Sequence, residues 1–288
     1  MDLSICLVPL NALVYLEPLL ASIEQHTIGL SYEVIMVDNG STDGTLEWVK
    51  EHHPEIQLIC NQANLGFTRG NNQAMALAKG DFLLLLNPDT LLTEDCFGPQ
   101  IAYMRENPKV AITIPKVLNS DGSFQHQSRR GDARPAAVFG YFLKLGKLFP
   151  KNRALNGYLQ SWLPEDEVAE VKAVSGSCMF IRRQVYEQIG GLDEQFFAYQ
   201  EDSDYCMRAR QAGWKVMYVP LSSIIHYGGE GGSKTQPYYA IFQWHRSYFL
   251  YYRKHFAREH FFLFNWFYYL VMIAKLLFAW LKRFVRGK

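Results

Sequence analysis

The chain has 288 residues, with 29 Lys plus Arg against 28 Asp plus Glu and a formal net charge of +1. That balance excludes nucleic acid as the main partner, because neutralising phosphates needs a concentrated basic surface. Hydrophobic residues make up 49%, enough for one large α/β domain or two small ones, and the five scattered cysteines show no CxxC pair or Cys/His cluster that would mark a disulfide framework or a zinc site.

This cysteine usage fits a reducing cytosol. The start, Met1-Asp2-Leu3-Ser4-Ile5, lacks a basic n-region and predicts no secretory leader. Strand and helix patterns then alternate. Ser4 to Val8 predicts a strand, and Asn11 caps a helix to about Thr27. Tyr32 to Val37 predicts a strand, Thr42 to His52 a helix, Ile56 to Cys60 a strand and Phe67 to Lys79 a helix. Phe82 to Leu86 is an unbroken apolar run, short enough for a strand buried on both faces. Asn87-Pro88-Asp89 ends it, because Pro88 has no N–H for a ladder and restricts the residue before it. Asp89 is thereby placed at the carboxyl end of a central strand, the edge where open α/β sheets bind ligands. Glu94 to Asn107 predicts a helix and Val110 to Val117 a strand. The alternation predicts βαβ units and a mostly parallel sheet flanked by helices.

Residues 119–170 are weakly patterned and read as an insertion that shapes a binding site. They carry Arg129, Arg130 and Arg134, an aromatic segment at Phe139 to Phe149 and an acidic loop at Glu165 to Glu167. Val171 to Arg182 predicts a strand pair broken at Gly176. A helix at Glu201 to Ala212 and strands at Trp214 to Val219 and Ser223 to His226 follow. Phe261 to Leu281 is then apolar apart from Asn265 and Lys275, and cations flank it on both sides. It is long enough for one hydrocarbon core. Either it spans a membrane or it lies in the interface with its Trp and Tyr rings at headgroup depth; the interfacial reading is favoured.

Four segments carry chemistry. In VDNGSTDGT a buried strand delivers Asp38 to the carboxyl edge, Gly40 and Gly44 permit tight turns, and Asn39 and Ser41 follow Asp38. In NQANLGFTRGNN, Gly66 and Gly70 let the backbone approach a ligand, Asn64 offers an uncharged amide, and Arg69 can pair with a phosphate. Glu201, Asp202 and Asp204 crowd a helix start, where one raised carboxyl pKa suits a general base. His226 ends an apolar strand before Gly228, Gly229, Gly231 and Gly232, a loop expected to close over substrate.

Together these segments resemble an inverting family 2 glycosyltransferase of the GT-A fold, in the rhamnosyltransferase-like branch that builds bacterial surface polysaccharides. The matching pieces are VDNGSTDGT, NLGFTRGNNQAMALAKGDFLLLLNPDT, SGSCMFIRR, GGLDEQFFAYQEDSDYCMRARQAGW and IIHYGG. The resemblance implies a nucleotide-sugar site in residues 1–118, a catalytic and acceptor half in 119–250 and a membrane-associating tail in 251–288. Asp38 would bind the uracil or thymine ring, with Pro9, Asn11, Asn39 and Ser41 nearby. Asn64, Gly66, Arg69 and Asn87 would line the nucleotide path. Asp89 stands at the DxD-type motif and would hold Mg2+ or Mn2+ with help from His226. Asp202, beside Glu201, would be the base. Gly176, Ser177, Cys178 and Asp204 would face sugar and acceptor. The donor would be a dTDP- or UDP-linked sugar, rhamnose first, with galactose, galactofuranose or N-acetylglucosamine as alternatives. The acceptor would be a lipid-linked glycan at the cytoplasmic membrane face, reached through residues 261–286. The chain departs from the family by keeping one acid at the DxD position and by Pro9-Leu10-Asn11 in the first loop. A nucleotidyltransferase would instead carry a basic glycine-rich loop near its N-terminus, and a non-catalytic scaffold would not need Asp38, Asp89, Asp202 and His226 together.

Overall fold

The computed structural model describes residues 1–149, 151–229 and 236–286. The N-terminal half runs β1 (Leu3–Leu7), α1 (Leu13–His26), β2 (Tyr32–Asp38), α2 (Thr45–His52), β3 (Gln57–Cys60), α3 (Gly66–Leu77), β4 (Phe82–Leu86), β5 (Thr90–Leu91), α4 (Phe97–Glu106) and β6 (Val110–Leu118). The remainder runs β7 (Arg129–Arg130), α5 (Pro135–Phe142), α6 (Leu145–Leu148), β8 (Ala169–Glu170), β9 (Ala173–Val174), β10 (Cys178–Arg182), α7 (Arg183–Ile189), α8 (Glu201–Gln211), β11 (Lys215–His226), α9 (Pro237–His255) and α10 (Phe262–Arg286).

Among the described residues the main sheet has the order β3-β2-β1-β4-β10-β6-β11-β5, with β8 pairing β11 from the side. Strands β3, β2, β1 and β4 are parallel, as the βαβ pattern predicts. β10 is antiparallel to both β4 and β6. That reversal matters for the site. A strand running the other way begins at the edge where β1, β2 and β4 end, so the turn before β10 joins their carboxyl ends. Cys178 pairs with Leu86, and the Asn87 N–H donates to the Ser177 carbonyl at 3.0 Å.

Every residue of β1 and of β4 is buried, the burial expected of strands covered on both faces. Helices pack their apolar rows on this layer; Leu16, Leu19, Leu20 and Ile23 of α1 join the core. A second buried cluster lies outside the sheet, where Tyr158, Phe196, Tyr248, Tyr251, Tyr252 and Tyr268 pack together.

Two of the expected features take a different form. Asn11 does not cap α1. Its φ is +50° and its Oδ1 accepts the Thr42 N–H at 2.7 Å, while Asp43 from the next loop accepts the Leu13 N–H at 3.1 Å. The two strands expected after Trp214 are one, β11, whose pairing with β6 lapses between Tyr218 and Ser223. Pro220 falls in that gap and has no N–H to give. Residue 250, where the tail is taken to begin, lies within α9.

Candidate active site

A cavity of about 760 Å3 opens along the carboxyl edge of the sheet. Its floor comes from Asn39 after β2, Asn64 before α3 and Gly66 at its start, Asn87 and Asp89 after β4, and Ser177 before β10. Its far wall is Glu201 and Asp202 of α8, Gln243, Trp244 and Tyr248 of α9, and Tyr141 and Tyr158. Asn11, Gly176 and His226 complete the lining among the predicted residues.

The other predicted residues lie elsewhere. Asp38 sits just under the wall: Oδ2 accepts the Gly40 and Ser41 N–H groups at 3.0 and 2.9 Å, fixing the turn. Its Oδ1 is buried with no hydrogen-bond partner among the described residues. Such an orphan is costly unless a donor meets it. Pro9 and Ser41 tie loops together, the Pro9 carbonyl accepting the Asn39 N–H and the Ser41 hydroxyl oxygen accepting the Asn11 N–H. Arg69 does not face the cavity. It is half exposed on α3 and pairs with Glu194 at 3.3 Å. Cys178 points into the sheet, where burial pushes its thiol well up. Asp204 is fully buried and saturated by Arg208, Lys254 and His255 at 2.7–2.9 Å. Burial works against its charge, but bonds from His255 and Lys254 hold it below the ordinary carboxylate range. Its role is to lock α8 to α9.

The glycines also divide. Gly66 has φ +89°, and a Cβ there would run into the Phe197 carbonyl, so only glycine lets α3 start against that loop. Gly70 makes room for the Val8 side chain rather than for a ligand. The loop expected to close after His226 runs into residues 230–235, outside the described residues.

Asp89 and His226 meet. Nε2 of His226 lies 3.3 Å from Asp89 Oδ1, with side-chain exposures of only 12% and 8%. The Asn87 amide nitrogen lies 3.0 Å from the same Nε2, and Gln125 Oε1 lies 2.8 Å from Nδ1. An amide NH2 can only donate and an amide oxygen can only accept. With those partners Nδ1 donates to Gln125 and the single Nε2 lone pair accepts from the Asn87 amide, with the Asp89 oxygen beside it. For an ion to sit between Nε2 and that oxygen, the Asn87 amide would have to turn and free the Nε2 lone pair. An imidazole nitrogen and a carboxylate are a donor pair that suits a divalent ion, and the Gln125 contact orients the imidazole for it.

Asp202 is the most heavily bonded carboxylate in the cavity wall. Oδ2 accepts from Arg130 Nη2 at 2.6 Å and from the Gly176 N–H at 3.1 Å. Oδ1 accepts from the Ser203 N–H at 2.6 Å and its hydroxyl at 3.2 Å. Arg130 is buried, held by β7 pairing with β9 and by the Val174 carbonyl. Asp202 in turn keeps it protonated well beyond its ordinary range against the pull of burial. Glu201, next door, is pushed up to about 8 by burial and by the Asp202 charge. Among the described residues its Oε2 has no partner, nor do Oε1 of Gln200 and of Gln243. Tyr199 and Gln200 hold φ of +68° and +63°, two successive non-glycine residues in the left-handed region directly before the two acids. Strain of this kind gathers at functional sites.

Sequence reasoning missed Arg130, Gln125 and Gln243. The signal for Arg130 was weak: of the four arginines in the loose segment, Arg129 is clamped between the Phe124 and Tyr218 rings, Arg134 pairs outward with Glu259 and Arg153 lies over the Trp162 ring.

This architecture is shared with nucleotide-sugar enzymes of known structure. It is similar to GalNAc-T7 with UDP, GalNAc and Mn2+ (TM-score 0.58, 17% identity, 78% of this chain and 44% of that one). It is also similar to the mannosyltransferase PcManGT of Pyrobaculum calidifontis with GDP-Man and Mn2+ (TM-score 0.56, 16% identity, 86% and 63%). These likenesses are of fold, and they identify the GT-A fold. Residues 4–190 match the profile described as Glycosyl transferase family 2, and the chain belongs to that family. It is 30% identical over 225 residues to the N-acetylglucosaminyl-diphospho-decaprenol L-rhamnosyltransferase of Mycobacterium tuberculosis, covering 74% of this chain and 72% of that one. It is 25% identical to the rhamnosyltransferase WbbL of Escherichia coli, covering 74% and 79%. The protein is a glycosyltransferase, rhamnosyltransferase-like in sequence.

Proposed function

We propose that the enzyme moves a sugar, L-rhamnose, from a dTDP- or UDP-linked donor to a hydroxyl of a lipid-linked glycan, with inversion and with Mg2+ or Mn2+. The observation that carries this is one cavity holding the Asp89–His226 pair, the Asn39–Gly66 floor and Asp202. The choice of sugar and of a lipid-linked acceptor follows the names of the relatives. The cytoplasmic membrane face follows from such an acceptor together with the apolar C-terminal helix.

In this reading the orphaned Asp38 Oδ1 accepts the ring N–H of the base, and Asn39, Asn64 and Gly66 line the nucleotide path. Asp89, His226 and Asn87 hold the cation. Bound there, it would offset charge on the departing diphosphate. Asp202 takes the proton of the attacking hydroxyl. A carboxylate has about four acceptor sites, and all four bonds are made, so the incoming hydroxyl displaces the longest, from the Ser203 hydroxyl at 3.2 Å. Glu201, neutral below about pH 8, and the unpartnered oxygens of Gln200 and Gln243 meet acceptor hydroxyls. One displacement on the face opposite the leaving group inverts the anomeric centre.

The test is transfer from dTDP-rhamnose to a polyprenyl-diphosphate sugar with Mn2+ present. Asp202→Asn loses about 10²-fold or more in rate while keeping nucleotide binding. Near-normal turnover by that variant removes Asp202 from the mechanism.

A further inference from the structure

The C-terminal helix and α9 form an antiparallel hairpin. Along α10 the contacts run Tyr268 on Tyr252 (ring centroids 4.1 Å), Tyr269 on Phe249 (4.8 Å), Lys275 over Trp244 (3.8 Å) and Trp280 to the Tyr238 carbonyl (3.3 Å). From Tyr268 to Trp280 this is about 18 Å of helix axis. The two polar residues within its apolar stretch both turn onto the protein. Asn265 bonds to Tyr252 and to the Ala257 carbonyl, and Lys275 lies over the Phe142 and Trp244 rings beside His245. The outer face is therefore apolar without interruption: Trp266, Leu270, Ile273, Leu277, Phe278 and Leu281 are each 54–66% exposed. Their spacing is that of one helix face.

A second apolar patch lies beside it. Phe142, held under Lys275, ends α5, and the chain then exposes Leu143, Leu148 and Phe149. Exposed Lys144, Lys147 and Lys151 alternate with them, and Lys282 and Arg283 follow the helix face. Neither residues 133–164 nor residues 260–288 contain an Asp or Glu. Two copies of such a face would set cation against cation; an anionic lipid surface complements it.

We propose that the enzyme docks on an anionic bilayer through two insertions, the outer face of α10 lying parallel to the surface and the Leu143–Phe149 turn beside it. This deepens the function proposed above and rests on it only for the location of the acceptor. A spanning α10 would place Lys275 and Asn265 in hydrocarbon, or carry α9 with Arg246, Arg253 and Lys254 into it, which the bilayer disfavours. Lying flat, the helix keeps all its contacts. Trp244 both lines the cavity and supports Lys275, so α10 and one ring separate the bilayer from the acceptor end of the site.

The test uses the full chain in a Cys60→Ser background, without nucleotide. Vesicles of phosphatidylcholine with one-quarter phosphatidylglycerol should sediment the protein, and pure phosphatidylcholine should do so poorly. Leu148→Glu with Phe149→Glu should weaken binding by about tenfold or more, with an unchanged melting temperature. Cysteines introduced at Leu263 and at Arg283 and labelled with NBD should both be quenched by external dithionite. Protection of one label means a spanning helix and overturns the proposal. So does vesicle binding that ignores the Leu148/Phe149 changes. Failure to bind any vesicle, with concentration-dependent dimers in the ultracentrifuge, assigns the face to a second copy instead. A nucleotide-induced thermal shift on the same protein reports the transferase reading separately.

Discussion

The Asp202 carboxylate and the Arg130 guanidinium form a 2.6 Å ion pair across 72 residues of sequence, with both side chains only 10% exposed. The pair joins the helix that carries the proposed base to the β7–β9 ribbon. Removing one partner of a buried pair strands the other's charge, here beside Glu201. Arg130→Met should therefore destabilise the protein by about 3–5 kcal/mol, read as a lowered denaturation midpoint. Arg130→Met combined with Asp202→Asn should recover part of that loss, a coupling that a double-mutant cycle measures.

Glu201 sets a pH dependence with a definite sign. Burial, helped by the Asp202 charge, raises its folded pKa to about 8 from an ordinary 4.5. The folded state therefore binds this proton more tightly than the unfolded state does. The resulting stability is fully present below about pH 4.5 and is lost as pH rises through about 8. Melting temperatures between pH 5 and 9 should fall more steeply in the natural protein than in Glu201→Gln. Parallel curves would mean that Glu201 does not hold the proton.

In the proposed metal site Gln125 would act without being a ligand. By its contact with His226 Nδ1 it orients the ring so that Nε2 faces Asp89. Gln125→Leu should weaken Mn2+ affinity by about 10–100-fold, measured by calorimetry, without changing the fold. His226→Ala should do the same or more.

Gly66→Ala should destabilise beyond the roughly 1–2 kcal/mol of a left-handed alanine, because the new methyl also meets the Phe197 carbonyl. Gly70→Ala should also destabilise, through Val8, but leave nucleotide affinity of the folded fraction intact.

The parts of this protein legible in its sequence are those set by local pattern. The five apolar residues of β4 and their Asn-Pro-Asp stop needed no knowledge of the rest of the chain. Nor did the acidic start of α8. Local pattern also brought Asp89, Asp202 and His226 forward, and the fold gathers them in one cavity. It could not assign β10 its antiparallel direction, since Cys178–Arg182 reads alike either way. It could not choose Arg130 over Arg129, because neighbouring residues in a strand face opposite sides and only the pairing partner decides which side is the cavity. Arg69 shows the same limit: its residue type suits a phosphate, and only the folded chain reveals that from α3 it pairs with Glu194. Gln125 meets His226 across 101 residues, a relationship that exists only in the folded chain.

The most direct test of the central claim is a thermal-shift titration with dTDP, UDP, GDP and CMP, each with and without Mn2+. Ligands that bind only the folded state raise its apparent stability. The account predicts a Mn2+-dependent rise with dTDP or UDP that His226→Ala diminishes. A folded protein that shifts with none of the four, or equally with and without Mn2+, would contradict it.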